Sequence, residues 1–516
     1  MGWSVAEIAN AVAAAAVRPT AVLDEHVARH RATAAALNAL VQQRHAAARE
    51  EAAALERACL ETAGVESPGP ANVVREATIG GPLAGVPVSV KECFGVRGMV
   101  TSLGIPSRRG AADAGDAAIV ARLRAAGALV VGKANVSQAM YLHDADNPVW
   151  GRTNHPLDAA RGPGGSSGGD AALVAADVVP LAVGNDLAGS VRQPAHACGV
   201  AGFLPRSRLL GEAGGFDTMP RLRVVRPRAG LLARRVEDLS LAFSAIAGAD
   251  DRPDAGGAVV PGPSLRVAWW DDAGPIEPSP AVRRAVHEAV ARLARAGAGV
   301  VRIDGDLAAE AAWLHLALLS TDGGADIRGL FGAARPIPPV ARLLRLAGVP
   351  RGVRRPLAAA AWMVGSRIEA RALGETGPRA EAGCVRLLAE RAALAARCEE
   401  LSRSFDVAVC PVSALPALRH GTAARLVLAA APCLLANLLD LPAGAVPVTR
   451  VRSDEQRGRG PSRDPVVRAA DDTDRGSEGL PVGVQVVGLP AADDADGQRA
   501  ERIVLDVMRL IADDVA

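Results

Sequence analysis

Aromatic residues are scarce in this chain: they are 3% of 516 residues, and Tyr141 is the single tyrosine. A core of this size must therefore be aliphatic, built from the abundant Ala, Val and Leu. Lysine is scarcer still, since Lys91 and Lys133 are the only two among 58 basic residues and every other one is Arg. No uninterrupted apolar run is long enough to span a bilayer. The net charge is only +2, from 58 basic and 56 acidic residues, so no nucleic-acid partner is expected. The seven cysteines (Cys59, Cys93, Cys198, Cys384, Cys398, Cys410 and Cys433) are odd in number and lack CxxC or Cys/His spacing. Neither a metal site nor any other cofactor is expected, and reduced thiols point to the cytoplasm. The N-terminus has no basic n-region and carries Glu7, so it reads as an amphipathic helix and not as a signal peptide.

The shortage of lysine gives the two that remain some meaning. Where Arg serves for nearly every positive charge, a Lys suggests a task that Arg cannot perform. Burial can make Lys neutral and basic, whereas Arg stays charged. Chance survival of two lysines is the plain alternative.

What the chain has in abundance is glycine around serine, in one stretch from Arg161 to Gly202. Gly164-Gly165-Ser166-Ser167-Gly168-Gly169 forms one site, and Gly184-Asn185-Asp186-Leu187-Ala188-Gly189-Ser190 forms the other. The Ala/Val-rich run between them fits a buried helix leading into a strand. Glycines here allow tight turns and let backbone N–H groups converge on an oxyanion. Two ordinary Gly/Ser loops are the simpler reading of either site alone.

The periodicity predicts helices over 4–17 and about 20–60, a polar loop over 62–79, and a turn and strand over 82–91 ending at Lys91. A helix over 116–126 and a strand over 128–132 follow, then helix 229–249 and a Pro/Gly/Asp-rich connector over 250–263. Strand 266–270, helix 280–297, strand 299–303, helix 379–403, strand 406–411, helix 425–441 and strands 445–448 and 482–487 complete the pattern, with 452–478 a surface loop. This alternation predicts an α/β fold: one α/β/α domain over 1–516 around a twisted mixed central sheet. Residues 1–79 would form an N-terminal helical region and 325–400 a helical cap. Within that cap, 328–365 is rich in Arg, Pro and Leu, with no acidic residue between Asp326 and Glu369. Such a segment suits a peripheral contact with an anionic membrane, a lid, or a subunit contact.

A strand ending in Lys91, the GGSSGG loop, and a second Gly-flanked serine followed by Arg192 and Pro194-Ala195 resemble the amidase signature family. The 24 residues from Ser166 to Ser190 match the spacing of its two serines. Val90-Lys91-Glu92-Cys93-Phe94, Gln138-Ala139-Met140, Asn147-Pro148 and Gly168-Gly169-Asp170 are similar to the fatty acid amide hydrolase branch. So are residues 438–449 and 476–485. The resemblance implies the amidase signature fold and a Lys91–Ser166–Ser190 triad, with Ser190 the nucleophile. It implies an oxyanion hole from the backbone of Leu187, Ala188, Gly189 and Ser190. Asp186 and Arg192 match residues that orient this loop, and Met140 and Tyr141 match residues lining the substrate site. Ser167 is expected to bond within its own turn. His143, His155 and His196 read as satisfied core or loop histidines, and Lys133 as structural.

Amide cleavage needs an activated nucleophile, a base that later acts as acid, and donors for the oxyanion. A neutral Lys91 could take a proton from Ser166 as Ser166 takes one from Ser190. Alternation along the strand should turn Glu92 to the opposite side. The expectation is a serine amidase of a lipophilic or extended acyl amide, working as a homodimer. An acyltransferase or esterase using the same acyl-enzyme, or an inactive binding protein, are the alternatives. Two departures bear on rate and substrate range: Asn185 stands where the family usually has Thr, and Ala188 where it has Gly.

Overall fold

The structure is a computed structural model and describes residues 2–63, 80–247, 264–272, 274–456, 458–490 and 498–512. Its strands are β1 (Leu40–Gln43), β2 (Pro87–Lys91), β3 (Leu129–Ala134), β4 (Asp146–Asn147), β5 (Gly151–Arg152), β6 (Leu181–Asp186) and β7 (Ala201–Leu204). They continue as β8 (Arg228–Ala233), β9 (Arg266–Trp269), β10 (Gly299–Arg302), β11 (Val407–Pro411), β12 (Ala443–Arg450) and β13 (Pro481–Gly488). All but the small β4–β5 pair join one 11-stranded sheet, in the order β1-β3-β2-β6-β8-β7-β12-β13-β11-β9-β10. β2 runs parallel to β3 and β6, and β9 parallel to β10 and β11. The remaining pairings are antiparallel, so the sheet is mixed.

Helices cover both faces, and the sequence of the middle strands reflects this. β2, β3, β6 and β8 are buried at every position, and they read as near-continuous apolar runs. Val130 packs into one core, while its neighbours Leu129 and Val131 pack into the other on the opposite face. The helix Pro280–Arg295 buries Ala281, Val282, Ala285, Val286, Ala289 and Leu293, the i, i+3, i+4 stripe that a covering helix requires. The result is the α/β/α layering expected from the sequence.

Several local expectations are corrected. The single helix read over about 20–60 is two, Pro19–Leu37 and His45–Ala63, with β1 between them. Asn38 ends the first in a left-handed conformation, φ 49° and ψ 48°, which Asn tolerates. Leu40–Gln43 then finds an unfilled edge beside β3. The stretch 229–249 begins not as helix but as β8, paired on both sides, and turns helical only at Val236–Ile246. The segment 425–441 is a 3-10 turn, Val427–Cys433, holding Pro432, followed by a short α-helix that Asp440 closes at φ 57°. The presumed surface loop 452–478 contains the helix Pro465–Asp474, capped by the Asp464 carboxylate on the Val466 N–H. The polar loop read at 62–79 lies, past the helix end at Ala63, outside the described residues, as does the connector at 250–263.

Candidate functional site

β2 and β6 are parallel neighbours, third and fourth in the sheet order, and both deliver chain to the same end. β2 ends on Lys91, and β6 ends on Asn185 and Asp186. The Gly164–Gly169 loop arrives beside them at the start of the buried helix Gly168–Ala175. Its fit leaves no room for side chains: a Cβ on Gly165 would lie 2.1 Å from the Asp144 carbonyl oxygen. The peptide bond between Gly165 and Ser166 is cis. In the second loop Gly189 has φ +92°, and a Cβ there would also meet Cys433 Sγ at 3.1 Å. The two loops are tied together by Ser167 N–H, which donates to the Ser190 carbonyl at 3.2 Å.

Lys91 is fully buried. Its Nζ lies 2.8 Å from Ser166 Oγ and 3.1 Å from the Asn185 carbonyl oxygen, and it also meets Asn185 Oδ1. These three partners suit a neutral amine. A neutral amine there would give its two N–H bonds to the two Asn185 oxygens, which can only accept, and leave its lone pair for the Ser166 hydroxyl proton. Burial pushes the Lys91 amine below its ordinary value of 10.5, against the charges of Cys93, Asp170 and Asp186. Asp170 is also buried and accepts from Ser89 Oγ at 3.1 Å, and burial pushes its carboxyl up to about 8. Desolvation thus works against the charged form of both groups. Glu92 sits apart as expected: its carboxylate accepts from the Ser102 and Leu103 N–H groups at 2.7 and 2.8 Å.

The Ser190 loop is braced from below by a buried ion pair. Arg192 Nε and Nη2 each lie 3.2 Å from an Asp186 carboxylate oxygen, and both side chains are fully buried. Asp186 also accepts from the N–H groups of Gly189 at 2.6 Å and Val191 at 3.0 Å, and from Asn437 Nδ2 at 2.9 Å. Burial alone would raise the Asp186 carboxyl, but the Arg192 charge and these donors hold it well below the ordinary carboxylate range. Arg192 reaches on to Asn437 Oδ1 at 2.6 Å, and to Gln485 Oε1 and the Cys433 carbonyl at 3.0 Å each. The Gly189 N–H is thereby committed to Asp186, whereas the Ala188 and Ser190 N–H groups make no hydrogen bond among the described residues. Removing one member of such a pair leaves a buried charge unpaired. Arg192→Met is therefore expected to lower unfolding stability by about 3–5 kcal/mol, read from urea denaturation.

Ser190 opens onto a cavity of about 210 Å³. Met140 and Tyr141 line it, with Leu187 and Ala188 of the second loop. The far wall is helical, from Leu316 and Leu319, Leu343 and Leu346, and Leu434. No hydrogen bond joins the Ser166 and Ser190 hydroxyls. Ser167 does not bond within its own turn: its hydroxyl donates across to the Asn185 carbonyl at 3.3 Å. Lys133 is held by Asp113 at 2.7 Å and Thr101 Oγ1 at 2.8 Å, away from this site. His155 and His196 are satisfied by backbone groups. His143 differs, since it lines the cavity.

Sequence reasoning gave no role to Asn437 or Gln485, the side-chain partners of Arg192, although both lie in or beside motifs it singled out. It treated Asn185 only as a departure, and the structure makes it the principal partner of Lys91. Amide side chains carry no charge pattern, so their roles appear only when the fold brings them to a charged group.

The Amidase family profile matches residues 21–495. Fatty-acid amide hydrolase 1 of Sus scrofa is 31% identical over 454 residues, covering 84% of this chain and 76% of that protein. Fatty acid amide hydrolase 1 of Caenorhabditis elegans is 30% identical over 433 residues, covering 80% and 75%. Among solved structures, a fatty acid amide hydrolase superposes with a TM-score of 0.79 over 98% of this chain and 85% of that one, at 20% identity. A match of this extent shows that the chain belongs to the amidase signature family and is a hydrolase of carbon–nitrogen amide bonds.

Proposed function

We propose that the chain hydrolyses the amide bond of a lipophilic acyl amide through an acyl-enzyme on Ser190. Ser190 Oγ attacks the carbonyl carbon and gives its proton to Ser166, which passes its own to Lys91. The tetrahedral oxyanion is met by the Ala188 and Ser190 N–H groups of the Leu187–Ser190 loop. As the intermediate collapses, the C–N bond breaks and the relay returns a proton to the departing amine. Water then cleaves the acyl ester by the same relay. The Ser166–Ser190 hydrogen bond closes when substrate is bound, as catalytic contacts often do. Kinship with the fatty acid amide hydrolases supports this reading.

The observation that carries the substrate class is the apolar wall of the cavity at Ser190. Each buried methylene contributes about 0.8 kcal/mol, or about fourfold in binding. For straight-chain primary amides, kcat/KM is expected to rise about fourfold per added methylene until the cavity is filled. A flat or falling series would refute the lipophilic assignment. Hydroxylamine added as acyl acceptor separates hydrolysis from acyl transfer, since a transferase would yield mainly hydroxamate.

We also propose that 328–365 makes a peripheral membrane contact at the mouth of this cavity. Leu346 both lines the cavity and is 37% exposed, and Val353, Leu357, Trp362 and Met363 are exposed beyond it. Arg345, Arg351 and Arg355 are exposed among them, suited to anionic headgroups. Among the described residues no helix is long and apolar enough to cross a membrane. Sedimentation with anionic liposomes is expected at low salt and to weaken as salt is raised. If liposomes are ignored and Trp362→Glu instead dissociates a dimer, this face is a contact with a second copy.

A further inference from the structure

The largely apolar cavity at Ser190 also has polar side chains in its lining, and His143 is the one imidazole among them. His143 lines the cavity together with Ser190, Leu187 and Ala188, and it is 8% exposed. Its Nε2 lies 2.9 Å from the Ala188 carbonyl oxygen. A carbonyl only accepts, so Nε2 carries the proton, and in a neutral ring the other nitrogen is then an acceptor. Burial pushes the imidazole below its ordinary 6.5, which keeps that ring neutral near pH 7. Nδ1 makes no hydrogen bond among the described residues, unlike the rings of His155 and His196, where both nitrogens are engaged. An acceptor in an apolar wall costs free energy unless a bound molecule supplies a donor.

We propose that His143 is a specificity-determining residue whose Nδ1 accepts a hydrogen bond from the N–H of the bound amide. The inference rests on the reading of Ser190 as nucleophile, which places the scissile bond within reach of this wall. Primary and secondary amides have such an N–H. An ester or a tertiary amide presents a lone pair or a methyl group to Nδ1 instead. A site built to bond a donor rejects analogues that lack it, because its own polar group is left unpaired. The bond to Ala188 fixes the ring and, with it, the direction of Nδ1.

The test uses four substrates with one acyl chain: primary amide, N-methyl amide, N,N-dimethyl amide and methyl ester. Each is assayed with wild type, His143→Phe and His143→Gln. In His143→Phe, kcat/KM for the two N–H amides is expected to fall about tenfold more than for the ester and dimethyl amide. Gln retains an acceptor, and His143→Gln should recover most of the discrimination. If His143 only braced the Ala188 carbonyl, all four substrates would fall together, and that result overturns the proposal. Should His143→Phe fail to fold, His143→Met is read by the same ratio. Labelling of Ser190 by a fluorophosphonate is measured alongside. An unchanged ratio with labelling intact defeats the role of His143 alone, whereas absent labelling in wild type defeats the nucleophile reading beneath it.

Discussion

Lys91→Arg is expected to lower kcat by about 10²–10⁴-fold, as severely as Lys91→Ala, while the chain remains folded. The two side chains differ in a way that decides the chemistry. A buried lysine can give up its proton and offer a lone pair to Ser166, 2.8 Å away, but the guanidinium cannot. The pH profile supplies the second reading. The base works only when unprotonated, so activity should rise with pH as Lys91 loses its proton. Because burial lowers that pKa, the rising limb should lie below the ordinary 10.5. Asp170, pushed up to about 8 by burial, favours the protonated form of Lys91 once it ionises, which should broaden the limb. Near wild-type hydrolysis in Lys91→Arg, with an unchanged profile, would reduce Lys91 to a positive charge holding the serine loop.

Ser190→Ala should abolish covalent labelling by a fluorophosphonate and reduce turnover by about 10⁴-fold or more, with unfolding stability little changed. Ser190 is 7% exposed and opens onto the cavity, whereas Ser166 is 2% exposed against Lys91. The loss of one hydroxyl leaves the Asp186–Arg192 brace and its hold on Gly189 and Val191 intact. Ser166→Ala should behave differently: it keeps the nucleophile and slows labelling, because the proton path is cut and the attacking group remains. Labelling of another serine in Ser190→Ala would reassign the nucleophile.

Some of this protein could be read from its residues alone. The elements β2, β3, β11 and β13 were legible because strands buried on both faces must be short, continuous apolar runs. Lys91, Ser166 and Ser190 stood out because lysine is nearly absent and because glycine clusters mark places where backbone must approach closely. The family was legible for the same reason, since its motif consists of those glycines and serines at fixed spacing.

Other features were decided only by tertiary structure. β1 and β8 are ambiguous by periodicity and became strands because neighbouring edges, β3 for one and β6 and β7 for the other, offered unpaired backbone groups. The 3-10 turn at Val427–Cys433 packs against the second serine loop, where Cys433 lies close to Gly189. Asn185, Asn437 and Gln485 owe their roles to partners 94, 251 and 293 residues away in the chain. A hydrogen bond between a neutral amide and a buried ionisable group leaves no periodic trace, because nothing local constrains either end. The lowered pKa of Lys91 has the same origin. Sequence supplies an amine, and only the packed sheet removes the water that favours its protonated form.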